Sequence, residues 1–165
     1  MKLKLPENIN DKIFMSKKAG SFSGVPQSTV QAWTDKGYVI STETGGTGDR
    51  RKYSALDCVE IGIVKKMSDD RVSYKIIGRV MDTLRGETQN WLDSEYVYII
   101  IRESKLDIPN VTILSIVPIK GRIATDQKTL EKWYAETAQT GFEKVLIYDF
   151  TKIAARVLRK VSQGG

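Results

Sequence analysis

Histidine is absent from this 165-residue chain, and cysteine occurs once, at Cys58. Without a second thiol no disulfide can close within the chain, which suits a reducing compartment. The cysteine and histidine sets that hold structural zinc are excluded within one chain, and acid–base work cannot rest on imidazole. No apolar run approaches the ~20 residues of a membrane-spanning helix. The opening stretch MKLKLPENIN has two lysines but no apolar core, so it does not read as a signal peptide. Lys2 and Lys4 sit in what reads as an arm or a short edge strand.

What remains is a soluble, globular composition, 41% hydrophobic and 28% charged. The length allows one domain or two small ones. Net charge is +6, a balance that favours a polyanionic partner. Residues 1–90 carry 15 Lys/Arg against 11 Asp/Glu, and residues 91–165 carry 11 against 9, so the excess leans to the first half.

The stretch from Phe14 to Tyr53 organises that half. Ser16 can cap a short helix over 16–22, whose Ala19 and Phe22 share one face. Gly24 supplies a residue tolerant of positive φ, and Pro26 suits the first turn of a second helix over 26–35 that Gly37 ends. Helix, glycine turn and helix make the pattern whose second helix enters the major groove. The β-prone run Tyr38-Val39-Ile40, the turn Thr44-Gly45-Gly46-Thr47-Gly48-Asp49 and the basic return Arg50-Arg51-Lys52-Tyr53 predict a two-stranded wing over 41–53. Ser54 starts a third helix with Asp57 at N3, close to a capping box, and Ser73 starts a fourth that ends by Gly86.

The ordered set Gly24-Val25, Thr29-Val30, Trp33, Gly37 before Tyr38-Val39, and Arg51-Lys52-Tyr53-Ser54 resembles the MerR family of winged helix-turn-helix DNA-binding proteins, over about residues 12–86. The resemblance implies that the partner is double-stranded DNA and that Arg51 contacts its backbone. Some family members sense metals or oxidants through several cysteines, which this chain lacks. Where relatives carry arginine and tyrosine in the middle of the second helix, this chain has Gln31 and Ala32, so no operator sequence carries over.

The residues themselves give the candidate interface. Val30 and Trp33 share one face of the second helix and should pack against the first, the favoured reading, with a phosphate contact from the Trp33 indole N–H at the core's edge as the alternative. Gln27, Ser28, Gln31 and Asp35 fall on the opposite side, and Gln31 has an amide suited to an adenine edge. An exposed polar face is the ordinary alternative. Lys17 and Lys36 are further candidates for phosphate. In the wing, Arg50 and Lys52 alternate with Arg51 and Tyr53, so the cations cannot all lie on one side. Cys58 reads as a packed residue rather than a redox centre.

The second half departs from the family's usual long coiled-coil helix. Strands are expected at 96–101, 111–117 and 144–148, the first two as a hairpin, with helices over 125–137 and from 149 or 151 to about 161. The last helix has an apolar stripe of Ile153, Ala154, Val157, Leu158 and Val161, with Lys152, Arg156, Arg159 and Lys160 elsewhere. The fold class is therefore α+β: a winged helix-turn-helix of four helices plus a two-stranded wing over 1–90, then a small α+β domain of three strands and two helices over 94–165. Tyr96, Tyr98, Trp133 and Tyr134 suit either a core or a ligand pocket.

The expected function is sequence-specific, MerR-like transcription regulation in the cytoplasm, at the nucleoid. The alternative is an architectural or mobile-element protein that binds neighbouring sites cooperatively. A small enzyme or ligand carrier is the third reading, disfavoured by dispersed acids and the lack of histidine. No catalytic, metal or cofactor residue is assigned, and no membrane partner. A homodimer through residues 94–163 is expected, with a small-molecule effector left open. A chain ending near Glu87 should then stay folded and monomeric.

Overall fold

A computed structural model describes residues 13–41, 51–86, 96–104, 110–116 and 142–164. Residues 42–50 of the expected wing, Arg50 among them, and the expected helix over 125–137 lie outside the described residues. The elements in chain order are β1 (Phe14–Met15), α1 (Ser16–Ser21), α2 (Gln27–Asp35), β2 (Lys52–Tyr53), α3 (Ala55–Asp69), α4 (Tyr74–Gly86), β3 (Tyr96–Ser104), β4 (Asn110–Ile116), β5 (Phe142–Asp149) and α5 (Phe150–Gly164).

The described residues divide into two compact units. One runs up to Met81 and takes in the chain from Lys152 on; the other runs from Asp82 to Thr151. The boundary expected near residues 90–94 assigns the last helix to the second domain, whereas in the structure all but its first two residues fall with the first. The reason lies in its apolar stripe. Ile153, Ala154, Val157, Leu158 and Val161 are all buried, and α3 admits α5 at a glycine. A Cβ on Gly62 would stand 2.8 Å from Val157 Cγ2 and 3.6 Å from Ile153 Cγ2.

In the first unit local chemistry fixes the ends of the elements. Ser54 caps α3: its Oγ accepts from Asp57 N at 3.1 Å, while Asp57 Oδ2 accepts from Ser54 N at 2.7 Å. Met15, not Ser16, holds the N-cap position of α1 and makes no side-chain cap. β1 pairs antiparallel with β2, Phe14 opposite Tyr53 and Met15 opposite Lys52. The expected partner of that return strand, Tyr38-Val39-Ile40, is not a strand. Its first two N–H groups instead serve the end of α2: Tyr38 N and Val39 N donate to Trp33 O at 2.9 and 3.4 Å.

The second unit holds a three-stranded antiparallel sheet in the order β4-β3-β5. Ile99 faces Tyr148 across the ladder, and both are buried with Ile101, while Ile147 on the opposite face is exposed. That alternation is the ordinary two-sided pattern of an antiparallel sheet.

Candidate nucleic-acid interface

The α1–turn–α2 geometry depends on two glycines. Gly20 lies so close to the turn that a Cβ there would meet Val25 O at 2.4 Å and Val30 Cγ2 at 2.9 Å. Its carbonyl accepts from Ser23 N at 3.0 Å and Val25 N at 2.9 Å. Gly24 takes φ +68° between the helices, where a side chain would be strained. At the far end of α2, Gly37 takes φ +75°. Gly37 N reaches Thr34 O at 3.0 Å while Tyr38 N reaches Trp33 O, the paired bonds of a Schellman stop.

So held, α2 turns Val30 and Trp33 inward, both buried. Gln27, Ser28, Ala32, Asp35 and Lys36 are exposed, and Gln31 is half-buried. Of the two roles open to Trp33 the structure takes the inner one: its Nε1 donates to Tyr74 Oη at 3.2 Å, tying α2 to α4. Tyr74 Oη also lies 3.3 Å from Ser68 Oγ, and its ring stacks on Tyr38 at 5.0 Å. The hydrogen bonds from Ser68 and then Trp33 draw the Tyr74 phenol below its ordinary pKa. No periodicity in the sequence announces this link.

Arg51 reaches back to α2. Nη2 donates to Asp35 Oδ1 at 2.6 Å, and Nη1 to the Gln31 carbonyl at 3.4 Å. Tyr53, expected at the DNA surface, is fully buried, and its hydroxyl lies 2.9 Å from Thr34 Oγ1. It braces α2 from within and offers nothing to a ligand. Strand alternation explains both placements, since residues 51 and 53 face the helix while Lys52, half-buried opposite exposed Met15, lies on the other side. Lys17 is exposed on α1. Its neighbour Lys18 folds over the Phe22 ring, 5.5 Å from the centroid, beside Gly164 at the end of α5.

Cys58 is buried on α3. Burial, and then the Asp57 carboxylate, push its thiol far above the ordinary range, which leaves it neutral and unreactive.

Residues 14–84 match the model of a family described as MerR HTH family regulatory protein. This segment is MerR-like. The match runs from β1 into the last turn of α4, and leaves the sheet and α5 outside it. A MerR helix-turn-helix of that description suggests a DNA-binding regulator. No curated protein gives a significant match to the chain. No helix among the described residues is long and apolar enough to cross a membrane.

Proposed function

We propose that the protein is a sequence-specific, double-stranded DNA-binding transcription regulator of MerR-like type, acting at the nucleoid in the cytoplasm. The MerR-like α2 enters the major groove, and the wing over 41–53 lies on the phosphate backbone. The observation that carries this reading is the division of α2. Its inner face is anchored by Val30, by Trp33 and by the close approach at Gly20, while Gln27, Ser28 and Gln31 stand on the other side. Exposed Lys17 and Lys36, on α1 and at the end of α2, supply charge, the type of contact that positions a protein without reading sequence. Pairing of subunits, expected through residues 94–163, falls to the sheet unit, because the apolar stripe of α5 is already buried inside one chain.

Binding-site mapping across a genome, followed by footprinting, tests the reading. One compact, roughly palindromic site is the expected result; a spreading array of sites would favour an architectural protein. Gln31→Ala is expected to cost about 1–3 kcal/mol on the mapped site and little on random duplex. Equal losses on both would move Gln31 to a backbone role.

A further inference from the structure

Helix α5 carries four of the chain's 26 basic residues and none of its 20 acidic ones, in fifteen positions. Lys152, Arg156, Arg159 and Lys160 recur at spacings of four, three and one, which sets them on one helical face. All four are exposed, opposite the buried stripe from Ile153 to Val161. Four other cations pair with acids: Lys65 with Asp69, Lys66 with Asp70, Arg85 with Asp82 and Arg51 with Asp35. Among the described residues Arg156, Arg159 and Lys160 form no such pair.

We propose that this face of α5 is a second phosphate-binding surface, for the backbone of duplex DNA, outside the helix-turn-helix. Two observations favour nucleic acid over another polyanion. The cationic residues of α5 belong to the same compact unit as α1 and α2. The C-terminal end of α5 also abuts α1, since a Cβ on Gly164 would lie 3.3 Å from Lys18 Nζ and 3.5 Å from the Phe22 ring. In helix-turn-helix complexes the first helix crosses the DNA backbone. A cationic stripe that starts at that helix and runs away from it follows flanking phosphates, which are read through charge and not through base edges. The surface adds affinity and footprint length without adding sequence preference.

The test uses the full chain carrying Arg156→Gln, Arg159→Gln and Lys160→Gln together, bound to a random-sequence duplex over a salt series. With about 0.9 in slope per phosphate contact, the slope of log K against log salt should flatten by roughly 2–3, and affinity at low salt should fall tenfold or more. Footprints on a mapped site should shorten on one flank. Because the three side chains are exposed, the circular-dichroism melt should match the wild type. An unchanged slope with affinity within twofold overturns the proposal. So does a loss confined to phosphatidylserine vesicles, which would make α5 a membrane-facing helix. If no mapped site emerges but the triple variant still flattens the slope, specific regulation fails and this surface stands.

Discussion

Arg51 donates to Asp35 at 2.6 Å, so the residue expected to hold phosphate is already paired with a carboxylate on α2. The second donor bond, to the Gln31 carbonyl, places the same guanidinium beside the candidate base-reading residue. Asp35 is 61% exposed, and an exposed pair of this type is worth only about 0–1 kcal/mol. Asp35→Asn should therefore leave the unfolding midpoint nearly unchanged. It should raise affinity for any duplex several-fold at low salt, because a competing anion is gone and the fork turns to phosphate. Arg51→Ala should weaken all duplexes together and flatten the salt slope by about 0.9. Filter binding across a salt series checks both. A fall in affinity for Asp35→Asn would mean that the pair holds Arg51 in its productive position.

Gly20→Ala should be costly although α1 remains helical. The new methyl would meet Val25 O, which is backbone and cannot swing aside, and the Val30 methyl on the core side of α2. Overpacking of this type costs about 1–3 kcal/mol, and relief requires α2 to move. Urea unfolding should show the loss, with DNA affinity falling further than stability alone explains. Gly24→Ala meets nothing within 4 Å; its cost comes only from φ +68° and should be about 1 kcal/mol.

The stretches legible in the sequence are those fixed by neighbours in the chain. The positive φ of Gly24 and Gly37, the capping box of Ser54 and Asp57, and the inward pair Val30 and Trp33 each follow from residues within four positions. What stayed hidden depends on partners far along the chain. Nothing near Tyr38 says that its N–H will close α2 instead of building a hairpin. Nothing near Lys52 names Met15 as its cross-strand neighbour. The apolar stripe of α5 was plain, but a stripe does not say which surface covers it, and Gly62 reads as a weak helix residue until a second helix is seen against it. Tyr53 beside two cations reads as exposed, whereas strand alternation turns it towards Thr34.

The Cys58 thiol gives a pH test. In the folded chain burial and Asp57 raise its pKa, so it stays protonated when the unfolded chain's thiol ionises near pH ~8.5. Above that pH the unfolded state releases a proton that the folded state keeps. Stability is therefore full below the unfolded value and falls with rising pH, by up to about 1.4 kcal/mol per pH unit from this group. Denaturant melts at about pH 8 and about pH 9.5, on either side of the unfolded thiol's pKa, should show the fall, reduced in Cys58→Ala. Native protein should also resist an aromatic disulfide reagent until denatured. Fast native labelling would contradict the burial.

Removal of α5 is the sharpest test of where the first unit ends. From sequence alone, a chain ending near Glu87 is expected to fold by itself on four helices and a wing. The structure instead covers α3 at Gly62 with Ile153 and Val157, and sets Gly164 against Phe22 of the α1 C-cap. Burial of Ile153, Val157, Leu158 and Val161 contributes about 1.5–3 kcal/mol each. Their sum is comparable to the ~5–15 kcal/mol that separates folded from unfolded domains. A chain ending near Glu87 should therefore show weak, uncooperative melting and exposed apolar surface that binds a hydrophobic dye. Adding residues 150–164 in trans as a peptide should restore cooperativity. A milder variant keeps the question open to measurement if the truncation simply aggregates: Leu158→Ala in the full chain should cost about 2–5 kcal/mol. Protection of α3 amides from hydrogen exchange should fall with it, α3 being the helix on which α5 rests. A truncated chain that melts cooperatively at the full-length temperature would return α5 to the second domain.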